Sequence, residues 1–226
     1  MTGGSASYAS IEPGRGVYDA HRAAALAGVP VTTLHYWARN GIYKPSVSPD
    51  PRVRQWSWAD LLTLRVIDWL RQEKSDGEVP RASVKKIRQA LHELDKRGLD
   101  RAQLHALCAV SRKGEIFFEL PEEGAVRAAP GQQGAWSGVL RLVRPYQSGP
   151  DLLNPRPRLR IIPGKLHGEP HVLNTRIPSA AIYALSTSGY SLEQIRELYP
   201  AAEPDAVADA IDLERSIDPA ARHRAA

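Results

Sequence analysis

The segment between Pro30 and Gly41 constrains the fold more than any other, because it carries two interleaved helical stripes of opposite character. Val31, Leu34 and Ala38 recur at i, i+3 and i+7, whereas Thr32, His35, Tyr36 and Arg39 recur at i, i+3, i+4 and i+7 on the opposite face. One stripe is suited to burial and the other to solvent. The polar stripe holds the side chains that read base edges in a major groove: Arg for guanine acceptors, Thr for a thymine methyl, His and Tyr for hydrogen bonds or phosphate.

The flanking sequence supplies a frame for such a helix. Residues 20–26 are Ala-rich with Leu26 turned inward, and Gly28 followed by Pro30 provides the break that lets two short helices cross. Past Gly41, Lys44 and Pro45 lead to Arg52 and Arg54, which alternate with apolar residues as on one strand of a ribbon and suit phosphates or a narrow minor groove. Ser57 with Asp60 three residues on reads as a capping box opening a helix that buries Leu61, Leu62, Ile67, Trp69 and Leu70. One more amphipathic helix follows over 83–94, whose Lys85, Lys86 and Arg88 read either as a solvated face or as phosphate contacts.

Residues 17 to about 95 resemble the winged helix-turn-helix of the MerR family. The resemblance rests on Gly28, Val29, Thr33, Leu34, His35, Tyr36, Trp37, Gly41, Ile42, Pro45, Arg54 and Trp56. His35 stands where that family usually has Arg, Trp37 and Trp56 replace tyrosines, and Val47 occupies the place of an early wing Arg. The resemblance implies a homodimer on double-stranded operator DNA. Together with the residue pattern it gives Thr32, Thr33, His35, Tyr36, Arg39, Lys44, Arg52 and Arg54 as DNA-contacting residues. The family normally continues into a long coiled-coil helix, whereas here the helical pattern stops at Gly98.

Beyond Gly98 the texture becomes β-like. Runs at 104–111, 115–120 and 125–128 predict a small sheet with a turn at Lys113 and Gly114; 136–145 fits strand or helix, with helix favoured; and the Pro- and Gly-rich 148–158 reads as a linker. The expected organisation is a tail at 1–16, a DNA-binding domain at 17–98, a β-rich connection at 99–147, a linker at 148–158, a second domain at 159–218 and a flexible end at 219–226. The predicted class is α+β, mainly α. A chain of 226 residues with 42% hydrophobic residues can build one or two cores, and its net charge of +5 suits a polyanionic partner. Cys108 is the one cysteine, no apolar run approaches the roughly 20 residues that span a bilayer, and no secretion signal opens the chain, so a cytoplasmic protein is expected.

The second domain reads as a hairpin, with strands near Leu159 and Val172, followed by short helices at 179–188, 191–198 and 205–217. These pack as a three-helix bundle through Ile182, Leu185, Leu192, Ile195, Leu198, Val207, Ile211 and Leu213. This region resembles antitoxins of the VapB class that pair with PIN-like ribonuclease toxins. The matching residues are Gly168, Pro170, Thr175, Arg176, Ile177, Gly189, Ile195, Tyr199, Pro200, Val207 and Ala210, with Asn174 where that family usually has Gly. The resemblance implies an antitoxin that represses its own operon and neutralises a PIN-like toxin, with Arg176, Arg215, Arg222 and Arg224 as candidates to enter the toxin's acidic site. The alternative is a MerR-type regulator answering a small-molecule or protein effector. No catalytic motif is present: Glu203, Asp205, Asp209, Asp212 and Glu214 read as a helical face, and His167 and His171 flank a Gly-Glu-Pro stretch that does not suit a metal. Neither enzyme activity nor a metal or cofactor is expected.

Overall fold

The computed structural model describes residues 16–50, 52–74, 79–111, 113–120, 123–128, 139–141 and 149–218. The chain is α+β and mainly helical, as its periodicities predict. Helix α1 (Ala20–Ala27) is capped by Asp19, whose side chain accepts from Arg22 N–H, and closes on Gly28 at φ 74°. Helix α2 (Val31–Arg39) follows directly, with Pro30 at its N-cap. Helix α3 (Trp58–Arg71) opens on the expected capping box, Ser57 and Asp60 exchanging side-chain and backbone bonds. Helix α4 (Val84–Lys96) buries Ile87, Ala90, Leu91 and Leu94.

Next comes a helical turn, α5 (Leu104–Leu107), where a strand was predicted. Leu104 is buried and Leu107 packs against the same core; their i, i+3 spacing turns both inward from a single turn, which an apolar run alone does not distinguish from a strand. Strands β1 (Cys108–Ser111), β2 (Ile116–Leu120), β3 (Gly124–Arg127) and β4 (Val139–Arg141) form an antiparallel sheet in the order β3-β2-β1-β4. β4 corrects the preference for a helix over 136–145, because its three residues complete the open edge of β1. The remainder of that stretch lies outside the described residues.

The tail comprises strands β5 (Leu159–Arg160) and β6 (His171–Val172), then helices α6 (Ser179–Thr187), α7 (Leu192–Leu198) and α8 (Pro204–Ile217). Ile182, Ile195, Val207, Ile211 and Leu213 are buried as expected. Leu192 and Leu198 are not; they stand 54% and 55% exposed, flanking the one buried side chain of α7, Ile195. The short α7 contributes a single seam residue, so its other apolar positions fall outside the bundle.

Residues 148–158 are not a free spacer in the part described. Leu152 is fully buried, and Arg65 of α3 donates to the carbonyls of Leu26 and Pro150, each at 2.5 Å. Arg156 pairs with Asp212 of α8 at 2.7 Å. Head and tail also meet at α1. Leu166, His167 and Gly168 are successive left-handed residues at φ 50°, 55° and 86°. Their turned backbone aims the His167 carbonyl at Val17 N–H (3.0 Å) and the Gly168 carbonyl at the Tyr18 hydroxyl (2.8 Å). Arg22 then forks onto Glu214 at 2.7 and 2.9 Å while its Nε reaches Glu169 at 2.9 Å. Glu214, expected on an exposed acidic face, is only 5% exposed and also accepts from the Ser179 hydroxyl. Buried apolar residues from α1 to α8 belong to one cluster.

Candidate nucleic-acid interface

The two stripes of α2 separate as their spacing requires. Leu34 and Ala38 are buried, Val31 packs against the core, and Trp37 joins the buried side. Thr32, Tyr36 and Arg39 are exposed, while Thr33 and His35 are half-buried. Arg39 lies in the last turn of the helix, where a cation is favourable to the helix dipole, yet its guanidinium has no hydrogen bond or ion pair among the described residues. Lys44 is exposed just beyond the helix.

The wing is shorter than a two-stranded ribbon. Ser48 and Gln55 exchange two backbone hydrogen bonds of 3.1 Å each, and Trp56 pairs with Tyr18 through two of 2.9 Å. This correction separates the two arginines. Arg52 is exposed at the turn, where its N–H donates to Asp50 Oδ1 at 2.8 Å. Arg54 folds back, half-buried, with Nη1 3.4 Å from His35 Nδ1. They do not share one strand face. Behind the wing, Asp60 receives the Tyr43 hydroxyl at 2.6 Å and the Ser46 hydroxyl at 2.8 Å, fixing the loop between α2 and α3. Burial, reinforced by the Asp60 carboxylate, pushes the Tyr43 phenol well above its usual range.

His35 titrates below the ordinary histidine value, first because its surroundings are partly desolvated and then because Arg54, Arg39 and His21 place positive charge beside it. His21, on α1, escaped the sequence reading: α1 looked like a supporting helix, and nothing in its spacing shows that its charge is felt at His35. Of the basic residues of α4, Lys86 donates to Gly114 O at 3.1 Å and Arg88 donates to Asn40 O at the end of α2, while Lys85 is exposed. Arg88 therefore steadies the C-terminus of α2.

A family model described as "MerR HTH family regulatory protein" matches residues 18–76. Residues 18–76 are a MerR-family helix-turn-helix domain. This MerR-family head contains the whole of α1, α2, the wing and α3, and is a domain of DNA-binding, transcription-regulating type. A second model, described as "Protein of unknown function (DUF433)", matches residues 160–212, which run from β5 into α8. Neither a curated protein nor a solved structure matches the chain.

In the tail, Arg176 and Arg215 are exposed and, among the described residues, have no hydrogen bond or ion pair. Thr175 ties the adjoining turn, its hydroxyl donating to Val172 O at 2.9 Å and accepting from Ile177 N–H at 3.1 Å. Asn174 takes the left-handed conformation at φ 61°, as its position in the turn predicts. Arg222 and Arg224 lie outside the described residues. Cys108 is buried, and burial pushes its thiol up to about 12, which leaves no thiolate at neutral pH. No helix among the described residues is long and apolar enough to cross a membrane.

Proposed function

We propose that the protein is a DNA-binding antitoxin: its MerR-family head grips an operator as a homodimer and represses its own operon, while the DUF433-type tail neutralises a PIN-like ribonuclease. The observation that carries the DNA half is the free, outward Arg39 beside exposed Thr32 and Tyr36, backed by buried Leu34, Trp37 and Ala38. Motif residues of the tail and the unpaired, exposed Arg176 and Arg215 support the partner half. A guanidinium free of internal partners is available to the clustered carboxylates of a metal-dependent nuclease.

A specific feature favours a second reading, in which the tail responds to a small effector. A cavity of about 320 Å³ lies where α1 meets the tail, lined by Asp19, His21, Arg22, Ala25, Tyr183 and Glu214. That volume is at the lower end of small-molecule sites. Co-expression with the nuclease encoded in the neighbouring reading frame separates the readings. An antitoxin copurifies with the nuclease and restores growth, and Arg176→Ala with Arg215→Ala weakens the rescue. A neighbouring frame that encodes no nuclease, or a nuclease left fully active, removes the antitoxin reading.

A further inference from the structure

Arg54 has only donors, so the contact of its Nη1 with His35 Nδ1 at 3.4 Å makes that ring nitrogen the acceptor. In a neutral imidazole the proton then resides on Nε2. Nε2 belongs to a half-buried side chain on the polar stripe of α2 and has no hydrogen-bond partner among the described residues. We propose that Arg54 is a positioning residue that fixes His35 as the Nε2–H tautomer, so that α2 presents a single imidazole donor to the major groove and rejects cytosine at one position of each half-site. The inference rests on the DNA-binding reading of the head and specifies which base edge that head prefers.

The selection follows from groove chemistry. Guanine offers N7 and O6 as acceptors, adenine offers N7 and thymine offers O4, whereas cytosine presents only an amino donor. A lone N–H donor is therefore accepted by guanine, by adenine N7 or by thymine O4, and meets only a competing donor on cytosine. The residue is a departure from the Arg usual at this place in the family, so the head forgoes a bidentate guanidinium for one oriented N–H. Partial desolvation first, and then positive charge from Arg54, Arg39 and His21, favours the neutral ring. Protonation puts a second hydrogen on Nδ1, removes the acceptor and sets the imidazolium against Arg54. The Nε2–H donor persists in the imidazolium, while the added charge strengthens sequence-independent attraction to phosphate.

Two measurements on the full chain test this. Long-range ¹⁵N correlation spectra of the imidazoles report the tautomer directly: His35 shows the Nε2–H pattern in the wild type, and Arg54→Ala mixes the tautomers. Selection from a randomised duplex library, read by sequencing, gives wild-type depletion of cytosine at one position, roughly tenfold relative to the other bases. Arg54→Ala and His35→Ala each flatten that position while leaving the positions read by other residues intact. An Nδ1–H pattern in the wild type, or unchanged cytosine depletion in Arg54→Ala, overturns the inference while DNA recognition stands. Absence of any enriched sequence for the wild type overturns the DNA reading itself.

Discussion

Replacing Arg22 with Met isolates the joint between head and tail. The guanidinium gives Glu214 two hydrogen bonds, of 2.7 and 2.9 Å, and the Glu214 side chain is only 6% exposed. Without Arg22 that carboxylate retains the Ser179 hydroxyl in a site with little exposure to water. Removing one partner of a buried pair costs about 3–5 kcal/mol, and Arg22's own 16% exposure points to the lower end. The Glu169 contact adds little, roughly 0–1 kcal/mol, because that side chain is 30% exposed. Replacing both charges with Met leaves no stranded charge, so the double variant Arg22→Met/Glu214→Met recovers about 2 kcal/mol or more relative to Arg22→Met. Urea unfolding is the assay, with two probes. The tail from Leu159 onward has no tryptophan, so Trp fluorescence follows the preceding part of the chain while far-UV circular dichroism follows both. The two transitions coincide in the wild type and separate in Arg22→Met. A loss below about 1 kcal/mol, or a double variant no better than the single, refutes the assignment of a coupled buried pair.

Three further outcomes are expected. Gly168→Ala places a Cβ 2.0 Å from the Tyr18 hydroxyl at φ +86° and destabilises by roughly 2–5 kcal/mol, whereas Gly189→Ala, at φ +91° with open space around it, costs about 1–2 kcal/mol; equal losses in chemical denaturation contradict the close approach. Arg39→Ala weakens operator binding by roughly 1–3 kcal/mol and relaxes base preference, while Arg52→Ala weakens all sequences alike and lowers the salt slope by about 1; a titration showing the same slope and preference for both variants rejects the division of labour. His171 is buried and its titration lies below the usual range, with burial the main cause, so the folded state favours the neutral ring. Its stabilising contribution is complete above the unfolded value near 6.5 and is lost as the pH falls, so the unfolding midpoint drops between pH 7.5 and 5.5 and His171→Gln shows a shallower drop; equal drops argue against it.

The elements legible in the sequence are those whose signals are local. Ser57 with Asp60 and Ser191 with Gln194 form capping boxes, Gly28 and Asn174 mark left-handed turns, and the spacing of α2 fixes which face is buried. What escaped prediction depends on distant partners. Leu192 and Leu198 have the spacing of core residues, but the bundle has room for only Ile195 from their short helix. Arg54 looked like a strand residue aimed at phosphate because its neighbour, His35, lies 19 positions earlier. Arg22 and Glu214 are separated by 192 positions, and a charge on an otherwise solvated helix gives no sign that it is buried against another domain. The β4 pairing was equally hidden, since an apolar triplet takes its conformation from whichever edge is open to it.

Because α1 supplies both the opening helix of the DNA-binding unit and the arginine seated in the tail, neither part can be exchanged as an independent cassette. A related head grafted onto this tail must bring an arginine at position 22, a tyrosine at 18 and a neighbouring surface that tolerates the left-handed backbone at 166–168. Recombination between such genes is thereby restricted to partners already matched at this joint, and drift at Glu169 or Glu214 is felt first by a helix that belongs to the other domain.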